Sequence, residues 1–132
     1  MSRENVEIVR RAWQAPDVES LFAFYDPAIA WESHYGPISG VYHGHDGVRQ
    51  FFREWTEPLE SFHAAAETFI DAGDNVVVGG RISARGQASG VEGEMPQWMV
   101  YGVRDGLVVR VDLFESKREA LEAVGLSESA LD

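Results

Sequence analysis

Hydrophobic residues recur at one period over the first sixty residues and at another over the rest. That single change restricts the chain to a mixed α and β architecture with its helices first. Val6, Val9 and Trp13 stand at i, i+3 and i+7, Ile8 and Ala12 widen the stripe, Ser2 precedes it as a cap and Pro16 ends it. Asp17 caps a second helix in which Val18, Leu21, Phe22 and Tyr25 repeat at helical spacing until Pro27. Residues 28–33 read as a short strand, and 35–44, rich in glycine, as a loop on the rim of a cavity. A third helix carries Val48, Phe51, Phe52 and Trp55 on one face, with Asp46 at its positive end and Pro58 beyond its close.

From Ser61 the period moves towards two. Segments 62–70, 76–86, 91–104 and 107–115 are separated by turn sequences and form an antiparallel meander. Asp105-Gly106 between two alternating strands predicts a type I′ hairpin, whose two central residues need positive φ. Ser116 and Glu119 form a capping box for a last helix with Leu121 and Val124 as apolar contacts and Gly125 as its stop. Residues 126–132 read as a loose tail. No repeat, low-complexity stretch or linker divides residues 1–132, which are expected to form a single α+β domain.

Composition narrows the function classes. The chain has 132 residues, 45% hydrophobic and 25% charged, enough to bury about two thirds of its unfolded surface around one core. It contains no cysteine, so disulfides, thiol nucleophiles and thiolate metal sites are excluded. Apolar runs fall short of the ~20 residues that cross a bilayer, and the N-terminus lacks a signal-peptide core, which makes the cytoplasm the expected location. A formal charge of −11 with scattered Lys and Arg argues against nucleic acid and anionic membrane as partners.

The element order resembles the cone-shaped fold of the nuclear transport factor 2-like superfamily. Four stretches resemble its SnoaL-like branch: residues 4–12 (ENVEIVRRA), 44–52 (GHDGVRQFF), Asp105-Gly106, and 117–126 (KREALEAVGL). The resemblance implies a strongly curved sheet wrapped around the N-terminal helices with a deep, partly apolar pocket between them. It implies a ligand site, but because related members include polyketide cyclases, steroid isomerases, epoxide hydrolases and dehydratases beside non-catalytic transport and dimerisation modules, it selects no reaction; a small apolar ligand and no cofactor are expected.

A two-residue Asp105-Gly106 turn sets Tyr101 opposite Arg110, Met99 opposite Asp112 and Gln97 opposite Phe114. The other face then carries Trp98, Val100, Val109, Val111 and Leu113 and packs against helices or a second subunit, giving a homodimer joined through the sheet. The mixed face is placed inside, because pockets combine apolar walls with a few polar groups and because SnoaL-like cyclases resemble this arrangement at the equivalent strand positions. On that choice Asp112 is the general acid or base, with Tyr101 as hydrogen-bond donor to a developing enolate and His34 as a second acid or base at the rim. Trp13, Trp31, Tyr35, Phe52, Trp55, Gln97, Met99, Arg110 and Phe114 are the expected binding residues. The same pattern also fits Arg110 and Asp112 as a satisfied ion pair in a wet groove.

Glu32 and Ser33 fall where steroid isomerases resembling this fold hold their base, but Val9 and Met99 or Trp98 stand where those enzymes need donors. Asp112 and Arg110 supply only part of an epoxide hydrolase set. His34, His43, His45 and His63 match no zinc spacing, so no metal is expected. Arg85 and Glu92 are expected to face each other as an exposed ladder pair. Two readings stand: a cofactor-free acid/base enzyme acting on a polyketide-like or ring substrate, and a non-catalytic ligand-binding or dimerisation module. Asp112 enclosed in an open cavity would favour the first, and an interior filled by Trp31 and Trp55 the second.

Overall fold

The computed structural model describes residues 2–34, 39–88 and 90–126. Helix α1 spans Ser2–Trp13 and α2 Val18–Leu21, with Asp17 capping α2 by accepting from the Ser20 amide at 2.8 Å. The second helix is shorter than its apolar spacing predicts. Tyr25 already belongs to strand β1, Tyr25–Ser33, which passes through Pro27 because its neighbour's pairing is interrupted between Tyr25 and Ala30. A strand that the glycine-rich composition concealed, β2 at Gly40–His43, pairs antiparallel with β1. Helix α3 follows at Gly44–Thr56, then β3 Leu59–Ala72, β4 Asn75–Gly86, β5 Glu92–Arg104, β6 Leu107–Phe114 and α4 Lys117–Ala123.

The six strands form one curved mixed sheet in the order β2-β1-β6-β5-β4-β3, antiparallel except for the parallel pair β1 and β6. The expected α+β cone architecture is therefore present, enlarged by β2. Asp105 and Gly106 have φ of +51° and +82°, as the hairpin requires. Arg85 pairs with Glu92, guanidinium to carboxylate at 3.4 Å. Ser116 accepts from the Glu119 amide at 3.2 Å and starts α4.

Two apolar clusters hold the sheet. The larger lies on the face covered by α1 and α3, the inner face, and includes Val9, Ile29, Trp31, Val48, Phe51, Val78, Met99, Tyr101, Val108 and Val111. The smaller lies on the opposite, outer face, where α4 sets Ala120 and Leu121 against Val77, Val100, Trp98 and Phe114. Leu126, expected in the loose tail, packs into this cluster and donates its amide to the Leu121 carbonyl at 2.9 Å. Residues 127–132 lie outside the described residues. No described helix is long and apolar enough to cross a membrane.

Candidate functional site

On the inner face, β1 turns Tyr25, Trp31 and Ser33 towards the helices, β5 adds Gln97, Met99 and Tyr101, and α3 supplies Phe51, Phe52 and Trp55. Trp31 lies 5.3 Å from Phe51 and 5.5 Å from Phe52, ring centre to ring centre. Trp55 stacks on Phe51 and meets Phe62 edge-on at 4.6 Å, where β3 passes the end of α3. Trp31 and Trp55 thus both belong to the interior ring cluster. Among the described residues the fully buried Trp31 has no hydrogen-bond acceptor for its indole Nε1, whereas the Trp13 side chain faces the Tyr101 hydroxyl. Among the described residues the buried polar side chains are Ser33 and Gln97, and no charged side chain is buried.

Two tyrosines share this interior. Burial raises Tyr25 and Tyr101 well above the ordinary phenol value, and the Tyr101 hydroxyl lies 3.6 Å from the Met99 sulfur. Trp13 and Tyr25 facing Tyr101 modify that rise in opposite senses without reversing it. A group held protonated by folding contributes stability below its unfolded pKa, roughly 10 for a phenol, and loses it as pH rises beyond. Alkaline titration is therefore expected to release these two phenolates together with unfolding, seen as a cooperative absorbance rise near 295 nm (about the phenolate band). Tyr25→Phe and Tyr101→Phe should each shrink that step. A smooth, non-cooperative rise would contradict it.

The carboxylates lie elsewhere. On the outer face Glu32 pairs in register with Asp112 across the parallel β1 and β6 strands, and Arg110 joins them. Arg110 donates from Nε to Asp112 Oδ2 at 2.8 Å, from Nη2 to Asp112 Oδ1 at 2.9 Å, and from Nη2 to Glu32 Oε1 at 2.8 Å. The Asp112 bonds, then those of Glu32, raise the guanidinium pKa. His34 completes the group: Nε2 lies 3.1 Å from Asp112 Oδ1, Nδ1 lies 3.9 Å from Glu32 Oε2, and the ring stacks on Phe114 at 4.6 Å. Ligand atoms of Glu32, His34 and Asp112 fall within 4.8 Å of one another, close enough for a metal, but Arg110 already supplies the cation there. Both Asp112 oxygens accept hydrogen bonds, so the satisfied ion-pair reading describes this cluster. Because Arg110 is half exposed, its coupling to Asp112 should be small. A double-mutant cycle of Arg110→Met and Asp112→Asn, followed by urea unfolding, is expected to give about 0.5–1 kcal/mol; coupling above ~3 kcal/mol would mean a desolvated pair.

The expected pairing of β5 with β6 does not hold, and the reason is a bulge. Arg104 faces Leu107 as predicted, but Val103 pairs with Val108 and Gly102 with Arg110, leaving Val109 without a partner. One extra residue turns the rest of β6 over. Met99 therefore pairs with Leu113 and Tyr101 with Val111 on the inner face, while Arg110, Asp112 and Phe114 point outward beside Val100 and Trp98. Of the expected site, Trp13, Trp31, Phe52, Trp55, Gln97, Met99 and Tyr101 gather inside; Asp112, His34, Arg110 and Phe114 gather outside; Tyr35 lies outside the described residues. Asp112 and Tyr101 are on opposite faces and cannot act on one molecule. The outer apolar residues Trp98 and Val100 are covered by α4 of the same chain.

Sequence reasoning missed the roles of Tyr25 and Glu32. Tyr25 was hidden by its helical spacing from Phe22, although Pro27 beyond it weakens any helix there. A shallow depression of about 480 Å³ on the projecting ends of β3, β4 and β5, lined by Ser61, His63, Ser83, Arg85, Glu92 and Glu94 among others, contains none of the expected residues.

The family described as SnoaL-like domain matches residues 6–111. A protein of unknown function from Burkholderia pseudomallei with the nuclear transport factor 2-like fold is 22% identical, over 92% of this chain and 98% of that one, with a TM-score of 0.77. A like protein from Burkholderia thailandensis is 28% identical over 83% and 88%, also at 0.77. TerC, crystallised with polyporic acid, is 22% identical over 92% and 98%, at 0.74. No curated protein is similar to the chain in sequence.

Proposed function

The chain belongs to the SnoaL-like domain family, and from that premise we propose that it binds a small, largely apolar molecule on its inner sheet face, among the rings carried by β1 and α3. The observation that carries this reading is the convergence of Trp31, Phe51, Phe52, Trp55 and Met99 in one cluster whose outer members, Phe52, Trp55 and Phe62, are only half buried. Such a wall, apolar with a few polar groups, suits a ligand that loses its water shell on entry. TerC, a fold relative, is known with polyporic acid, which supports the same use of the fold. Binding without proton transfer is favoured, because Asp112, His34 and Glu32 face away from this cluster.

Titrating the protein with a neutral naphthalene derivative while following tryptophan emission tests the reading. Saturable one-to-one quenching is expected, weakened about tenfold by Trp55→Ala, which removes roughly 1–2 kcal/mol of ring contact, and unchanged by Asp112→Asn. Absence of saturation, or loss of binding in Asp112→Asn, would go against it. A second reading, proton transfer by Asp112 and His34, has their 3.1 Å approach in its favour; it requires that Asp112→Asn abolish turnover with the fold intact.

A further inference from the structure

Resting on the inner-face binding reading, we infer that Met95 is the chain's oxidant-sensitive site: a hydroperoxide converts its thioether to the sulfoxide, and the sulfoxide weakens the hold of the inner face on an apolar ligand. Met95 pairs with Ile82, and Ile82 with Ala64, on the projecting strands. The register of β4 on β5 runs unbroken from there to Met99, so Met95, Gln97 and Met99 share the inner face. Two residues further along the strands the row is Phe62, Ala84 and Gly93, with Phe62 edge-on to Trp55. A Cβ at Gly93 would meet nothing within 4 Å, so this face is open beside Met95.

Reactivity follows from access. The chain has no cysteine, which leaves thioethers as its softest sulfur nucleophiles. Met95 is 45% exposed, whereas Met99 is 4% exposed and its sulfur accepts from the Tyr101 hydroxyl at 3.6 Å. In the reaction the Met95 sulfur gives an electron pair to one peroxide oxygen, the O–O bond breaks and an S–O bond forms. Sulfur is oxidised and peroxide reduced by that one pair, and hydrogen peroxide departs as water once the proton has moved to the leaving oxygen.

The product changes the surface that a ligand meets. Methionine is unbranched and adapts to irregular apolar shapes. Its sulfoxide is polar and holds water, and the neighbouring side chains of Phe62, Ala64, Ile82 and Ala84 offer no donor to replace that water. An apolar ligand seated beside Phe62 and Trp55 would therefore have to strip the sulfoxide of its hydrogen bonds.

The test treats the intact protein with hydrogen peroxide, removes the excess with catalase, and places the added oxygen at position 95 or 99 by tandem mass spectrometry. Binding of N-phenyl-1-naphthylamine, a neutral probe that brightens in apolar surroundings, is titrated before and after. Met95 is expected to oxidise at least about 20-fold faster than Met99, which waits on opening of the core. Affinity should fall about fivefold or more with oxidation at position 95, and return after treatment with methionine sulfoxide reductase. In Met95→Leu the same peroxide dose should leave that variant's affinity where it stood before treatment.

Comparable oxidation at 95 and 99, or oxidation of Met95 with no change in affinity, would overturn the inference and leave the binding reading standing. A Met95→Leu protein that loses affinity as the unaltered one does would overturn it in the same way. Absence of saturable probe binding before peroxide would overturn both.

Discussion

Alanine at Gly80 is expected to cost about 3 kcal/mol or more and to lower the melting temperature by roughly 10 °C or more. Gly79 and Gly80 stand side by side in β4 and serve opposite faces. On the outer face the Trp98 ring lies across Gly79. On the inner face the β3 backbone crosses Gly80, so a Cβ there would overlap the Ala65 carbonyl oxygen. The crossing occurs where β3 carries an extra residue between Ala66 and Thr68, a bulge that draws its backbone over β4. Backbone cannot step aside as the end of a flexible side chain can, so relief requires breaking β3 from β4. Calorimetry or urea unfolding of Gly80→Ala measures this, and a loss below about 1 kcal/mol would mean that β3 does not bend as described.

Deleting Val108 and Val109 together is expected to have a larger effect still, abolishing the folded state. Losing Val109 alone removes the bulge and leaves Val108 on Val103 and Arg110 on Gly102, so every later side chain keeps its face and stability should change by less than about 1 kcal/mol. Losing both sets Arg110 opposite Val103 and Asp112 opposite Tyr101 when pairing runs continuously from the Asp105-Gly106 turn, which carries both charges into the apolar core and brings Val111 and Leu113 out. Burying two charges and exposing two core side chains costs several kcal/mol, a large share of the roughly 5–15 kcal/mol that holds such a domain together. A double-deletion variant that folds with unaltered near-ultraviolet circular dichroism would show that pairing from the turn does not fix the register.

These two positions also show what the sequence could and could not disclose. Turn chemistry is local: Asp105-Gly106 demanded its positive φ angles, Ser116 and Asp17 their caps, and each stands where expected. Strand phase is not local. Counting back from the hairpin put Asp112 opposite Met99, and one bulged residue undid the count. The ring cluster was legible in part because Phe51, Phe52 and Trp55 share a helix face, whereas the partners of Asp112 depend on β1 lying parallel to β6, a pairing that no short-range pattern announces. The strand β2 was concealed for a related reason: its four residues gain their extended form from pairing with β1.

Neutral donors and rings on one face, carboxylates and guanidinium on the other: the functional reading depends on this separation. The absence of native cysteine makes it directly measurable with single thiols introduced at Met99 and at Arg110. Under native conditions the thiol of Arg110→Cys should react with a disulfide reagent at nearly the rate of a free peptide, and that of Met99→Cys at least about 100-fold more slowly, gated by opening of the core. Equal rates, or a faster reaction at position 99, would contradict the placement of the site.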